Sequence, residues 1–200
     1  MSIDSPQVTE GDAGTTDLVF TVTLSAASGV VISVNFATAE GTATLPADFK
    51  PTSGSLSFAP GETSKTIFVQ VRGELIDEPN EHFTATLTNP TNASLGEAVG
   101  TGTIFDNDPP PVILIDEPFV VEGDAGTTQF TFNVSLSAAS SQPITVAFTM
   151  NAATASSPDD FAATSGILTF APGEINKPIT VDVVGDLLDE PHGLGLHFCL

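Results

Sequence analysis

The sequence predicts an all-β fold of two immunoglobulin-like antiparallel β-sandwich modules in tandem. Apolar residues alternate with polar ones in short runs, and no stretch places them at helical spacing. Gly and Pro punctuate those runs at short intervals, as turns between strands require. The punctuation also repeats: EGDAGTT at residues 10–16 returns at 122–128, an offset of 122 − 10 = 112. The same offset carries Asp48-Phe49 onto Asp160-Phe161, Ala59-Pro60-Gly61-Glu62 onto Ala171-Pro172-Gly173-Glu174, and Asp77-Glu78-Pro79 onto Asp189-Glu190-Pro191.

The elements follow from the alternation, which puts every second side chain on one sheet face. A short strand precedes Glu10. Then come Leu18/Phe20/Val22/Leu24, Ile32/Val34/Phe36, Leu56/Phe58, Ile67/Val69/Val71 and Phe83/Ala85/Leu87, and a weaker strand from Val99 to Phe105. Seven short strands make a two-sheet sandwich, with Phe20, Phe36, Phe58 and Phe83 in its core. The first module spans residues 1–111 and ends in the stiff linker Pro109-Pro110-Pro111. The second spans 112–200 and follows the same plan to Pro191. Beyond that point the texts part, so a truncated or frame-shifted end is expected, with the last two strands missing and His192, His197 and Cys199 incidental.

Composition excludes several classes of function. Four Lys and Arg against 25 Asp and Glu give a net charge of −21, which repels nucleic-acid phosphate and anionic lipid, so neither nucleic acid nor direct membrane contact is expected. The single cysteine, Cys199, allows no intrachain disulfide. No nucleophile elbow, zinc-protease motif or phosphate loop occurs. Glu78 and Glu81 could be imagined as a glycosidase pair, but they share one loop, and the chain has no Trp or Tyr to stack a sugar. No enzyme is expected. The first residues lack a signal-peptide pattern and no apolar run is long enough to cross a bilayer, so the chain is either cytosolic or an internal piece of a longer secreted protein.

The acids are not spread evenly. Successive loops of an antiparallel sandwich alternate between two poles. One pole receives Glu10, Asp12, Asp17, Glu40, Asp48, Glu74, Asp77, Glu78, Glu81, Asp106 and Asp108; the other receives only Glu62 and Glu97. Eleven carboxylates against two would repel one another at one end unless a cation intervened. Calcium suits such a site, because it is hard and takes about 6 to 8 oxygen ligands in flexible geometry. Zinc and copper want nitrogen or sulfur, and the first module offers only His82, expected as a surface strand residue.

Four signatures together resemble the Calx-beta domain family: Val8-Thr9-Glu10-Gly11; Ala47-Asp48-Phe49 followed by Gly54 to Phe58 and Pro60-Gly61-Glu62; the run from Gly73 to Phe83; and Gly102 to Asp108. The first three occur twice. The resemblance implies calcium as the ligand, held by Glu10, Asp48, Glu74, Glu78, Glu81, Asp106 and Asp108, with Asp77 and Asn107 as second choices. In the second copy it implies Glu122, Asp160, Asp186 and Glu190, a site lacking counterparts of Glu81, Asp106 and Asp108. Two departures stand out: Gly73 precedes Glu74 where the family often has an aspartate, and Asn107 interrupts the last acidic triplet. The expected function is a calcium-binding structural or adhesion module of a larger secreted or cell-surface protein, one or two ions per intact copy stiffening the inter-domain junction, with other protein modules or surface ligands as partners. A metal-free sandwich spacer and a cytosolic calcium-sensing regulatory domain are the alternatives.

Overall fold

The computed structural model describes residues 1–121, 123–151, 157–187 and 197–199. The chain divides into two units, Met1–Pro109 and Pro110–Leu200. In the first unit the strands are β1 (Ser2–Ile3), β2 (Gln7–Thr9), β3 (Gly14–Thr23), β4 (Ile32–Glu40), β5 (Ser53–Phe58), β6 (Ser64–Gly73), β7 (Glu81–Thr91) and β8 (Val99–Phe105). They form two sheets, ordered β1-β3-β6 and β2-β8-β7-β4-β5.

The expected single first strand is divided between the sheets. Its β1 part pairs antiparallel with β3, and its β2 part pairs with β8 in the one parallel ladder of this unit. Pro6 lies at the crossing, where its missing N–H cannot continue a ladder. Neighbouring side chains stitch the gap: the Thr21 N–H donates to Asp4 Oδ1 at 2.7 Å, and the Thr101 N–H to Ser5 Oγ at 3.0 Å.

Between the sheets lie the alternating residues Leu18, Phe20 and Val22 of β3, Ile67, Val69 and Val71 of β6, and Phe83, Ala85 and Leu87 of β7, all buried. Each large apolar side chain withdrawn from water contributes about 2 to 3 kcal/mol. Phe58 is in the core as expected, whereas Phe36 is only half-buried, its ring lying over Gly54 on the outer edge strand β5. A residue outside the alternation takes a central place instead. Phe49 is fully buried and stacks on Phe83 at 4.2 Å, and Phe20 meets Phe83 edge-on at 5.9 Å.

The second unit contains β9 (Ile113–Ile115), β10 (Gly126–Leu136), β11 (Ile144–Asn151), β12 (Ser165–Phe170), β13 (Asn176–Gly185) and β14 (His197–Cys199). Its sheets run β13-β10-β9 and β12-β11-β14. The repeat holds at the level of single bonds. Gly14 opposite Gly73 becomes Gly126 opposite Gly185, and the bridge from Phe49 to Val71 becomes Phe161 to Val183. The turn lock from the Ala59 N–H to Glu62 Oε2, 2.7 Å, becomes Ala171 to Glu174, 2.9 Å. The expectation that both final strands are missing needs amendment: His197 pairs with Asn151 and Cys199 with Thr149, so a short strand borders β11 on the side where β7 borders β4. Residues 188–196 and 200, His192 among them, lie outside the described residues.

Candidate metal centre

Strand register gathers the site. Gly14 opposes Gly73, Glu40 opposes Phe83, Glu81 opposes Ile104, and Thr9 lies beside Phe105, so four chain segments leave the sheets at one end. The turn after β2, the long loop after β4, the loop after β6 and the exit from β8 meet there, as the alternation of loops requires.

Three of the four segments fix their carboxylates through backbone bonds. The Glu10 N–H donates to Phe105 O at 3.2 Å, and the side chain is 3% exposed. Asp48, 7% exposed, accepts at Oδ2 from both the N–H and the hydroxyl of Thr44, while its carbonyl takes the Arg72 N–H at 2.7 Å. Its neighbour Phe49 and the Phe83 two residues beyond Glu81 form the aromatic stack that floors the site. The Asp106 N–H donates to Asn80 Oδ1 at 3.1 Å, and the Asp108 N–H to Asp106 Oδ1 at 3.3 Å.

Two triads result. One ligand oxygen each from Glu10, Asp106 and Asp108 lie within 4.8 Å of one another, as do one each from Asp48, Glu78 and Glu81. Glu74 couples them electrostatically. Its own carboxyl is raised above the usual range by burial and then by Asp48, Asp108 and Asp106, and it in turn raises Glu10, Glu78 and Glu81. Burial is the largest cause throughout, with like charge added to it. Glu10 is pushed up to about 8, with Glu74 next in effect after burial and Asp106 after that. Glu81 rises to about 8, through burial and then Asp48 beside it, and Glu78 to about 7. The Asp108 carboxyl is also raised, by burial and then by Asp106, Asp12 and Asp77. Three oxygens, Glu10 Oε1, Glu74 Oε1 and Asp108 Oδ2, are buried without a hydrogen-bond partner.

All seven first-copy residues singled out from the sequence therefore face one another. The wider count of eleven does not converge as a whole. Asp17 sits in the β3 ladder opposite Gln70 and is exposed, and exposed Glu40 accepts the Leu45 N–H at 2.6 Å within its own loop. Asp12 and half-buried Asp77 flank the cluster.

The sequence model of the Calx-beta domain matches residues 1–108 and again 105–193. The chain belongs to the Calx-beta domain family. Among curated relatives, sodium/calcium exchanger 1 of Bos taurus and that of Cavia porcellus are each 30% identical over 174 residues, covering 78% of this chain and 18% of the exchanger. Adhesion G-protein coupled receptor V1 of Danio rerio is 30% identical over 177 residues, 86% of this chain and 3% of the receptor. The chain thus spans under a fifth of the exchangers it matches. Among solved structures, CBD12 from CALX1.2 is 24% identical with a TM-score of 0.50, covering 96% of this chain and 76% of that one. The calcium binding domain CBD12 of CALX1.1 is 23% identical, also at 0.50, covering 90% and 74%. These two likenesses show the tandem Calx-beta sandwich fold.

Both departures from the Calx-beta pattern have structural reasons. A Cβ on Gly73 would lie 2.1 Å from Gly11 O, so an aspartate there cannot coexist with this turn. Asn107 is a clamp: its Oδ1 accepts the Gly11 N–H at 2.8 Å and its Nδ2 donates to Asp12 Oδ1 at 2.6 Å. A carboxylate could accept the first bond but would repel Asp12. His82 pins the long loop, its N–H donating to Thr42 Oγ1 at 2.9 Å and its Nδ1 sharing a bond with the same hydroxyl at 3.1 Å. In the second Calx-beta module Asp160 and Asp186 are half-buried, and the Asp160 carbonyl takes the Val184 N–H at 2.8 Å, matching Asp48 with Arg72. Glu122 and Glu190 lie outside the described residues. Among the described residues, the three-acid groupings both belong to the first module.

Proposed function

We propose that the first module binds calcium, one or two ions, at the two triads and Glu74. The observation that carries this reading is the set of three buried carboxylate oxygens without hydrogen-bond donors. A buried acceptor left unpaired costs about 1 to 3 kcal/mol, more when charged, and a cation removes that cost for several at once. The donor set is oxygen alone, with His82 occupied by Thr42, which favours calcium over zinc or copper. The names of the exchanger relatives and of the solved calcium binding domain agree with this choice.

Bound calcium would tie together four segments that otherwise repel one another. Asp106 and Asp108 stand directly before Pro109-Pro110-Pro111, so the ion would also hold the start of the linker and stiffen the junction between modules. The setting proposed is a structural or adhesion module of a larger secreted or cell-surface protein, and the adhesion-receptor relative favours it. The exchanger relatives favour a second reading, a calcium-sensing regulatory segment. Calorimetric titration of the full chain tests calcium binding, with Glu78→Gln and Asp108→Asn removing one oxygen anion from each triad. Saturable heat that both variants weaken at least about tenfold supports the site; no heat at millimolar calcium rejects it. Affinity then separates the settings, since sensors bind at about 10⁻⁷ to 10⁻⁵ M and extracellular modules at about 10⁻⁴ to 10⁻³ M.

A further inference from the structure

Of the four basic residues, two are committed to ion pairs: Lys65 with Glu62 at 2.9 Å and Lys177 with Glu174 at 2.8 Å. The other two stand together. Lys50 and Arg72 line a shallow, open cleft of about 450 Å³ with Gly14, Thr15 and Ala47. Residues 48–50 run as a short rung along the outer edge of β6, the Lys50 N–H donating to Gln70 O at 2.9 Å and the Arg72 N–H to Asp48 O at 2.7 Å. Lys50 Nζ also reaches Gln70 Oε1 at 2.7 Å.

Neither cation pairs with a carboxylate among the described residues. With seven carboxylates next door, free cations would ordinarily fold over them. Glu74 lies on the boundary, in the cleft wall, yet its Oε1 is buried in the acid pole and has no partner. The acids therefore face inward and the two cations outward. At the matching positions, 112 residues on, the second module has Ala162 and Val184, so the pair belongs to the first module alone.

We infer that this cleft is a docking subsite for a carboxylate side chain of an acidic partner segment, gripped by Arg72 and Lys50 at the lip of the acid pole. A guanidinium fork matches a planar carboxylate through two parallel N–H···O bonds, and the Lys50 ammonium adds a second charge. A chain carrying −21 repels a dense polyanion, whereas one carboxylate meets two local cations before it meets the wider field. The strength of the contact rests on the calcium reading above, because ions at the pole would cancel the repulsion behind Glu74.

The test is a titration of the ¹⁵N-labelled full chain with N-acetyl-Gly-Asp-Gly-amide, whose single carboxylate is a poor chelator, in millimolar calcium and separately in EGTA. Saturable shifts at Gly14, Thr15, Ala47 and Gly73 and at Arg72 Nε are expected. The double variant Lys50→Gln/Arg72→Gln, both exposed positions, should weaken them at least about tenfold. No saturable shift in either buffer, undiminished shifts in the double variant, or equal shifts with N-acetyl-Gly-Asn-Gly-amide, which lacks the carboxylate, would overturn the inference. Calorimetry on the same samples separates the two readings: if the parent chain takes up no calcium, the calcium reading fails, and the EGTA titration alone decides the cleft.

Discussion

Glu10→Gln should make the calcium-free protein more stable and the calcium-treated protein less stable than the parent. Glu10 is 3% exposed, and its carboxyl is pushed from the ordinary 4.5 to about 8. A raised carboxyl favours folding fully below pH 4.5 and loses that contribution as pH climbs through about 8. The shift, 8 − 4.5, at about 1.4 kcal/mol per unit caps the loss near 5 kcal/mol. Glu10 is coupled to the acids around it, so only part of that shift is its own, and about 2 kcal/mol at pH 8 is the working figure. Glutamine keeps the shape without the charge, and its amide can donate to Asp106. In EGTA at pH 8 the variant should melt about 10 °C higher, with the gap closing toward pH 4. Calcium at about 100 times its dissociation constant should stabilise the parent by about 2.7 kcal/mol and the variant by far less. Calorimetric melting over this grid of pH and calcium is the assay. A variant that is less stable than the parent in EGTA at pH 8, or equally stabilised by calcium, would refute the reasoning.

Apparent calcium affinity of the parent should rise between about pH 5.5 and pH 8.5, because protons held by Glu10, Glu78 and Glu81 compete with the ion; calorimetry in buffers of different ionisation heat would show proton release. Asn107→Asp should destabilise the calcium-free first unit by about 1 to 2 kcal/mol in urea unfolding, since the clamp on Asp12 becomes a repulsion. Gly73→Ala should cost at least about 2 kcal/mol by the same assay, the added Cβ colliding with Gly11 O. Phe49→Ala should cost about 3 to 5 kcal/mol and also weaken calcium binding, because the stack on Phe83 holds Asp48 and Glu81 in position.

Much of this was legible in the residue order, and the exceptions have a common cause. Alternation located β3, β6 and β7 because each buries three apolar residues at every second position. Phe49 escaped that reading: flanked by Asp48 and Lys50, it belongs to no alternating run, and only the fold brings it under Phe83. The acid pole could be inferred by assigning loops to ends, a rule that says nothing about side-chain direction, and so Glu40 and Asp17 were counted with residues they do not join. Asn107 resembled a flaw in an acidic triplet because its two partners, Gly11 and Asp12, are more than ninety positions away. The crossing at Pro6 depends on which sheet has an open edge, a choice made by the whole module.

That crossing has a mechanical consequence. Because β2 runs parallel to β8, tension applied through Met1 and Pro109 pulls these two strands past each other lengthwise. The rungs at Gln7, Val8 and Thr9 then share the load at once instead of opening singly, as they would in a hairpin peeled from its end. A string of such units would yield to stretching abruptly, unit by unit, and remain nearly inextensible until each one gave way.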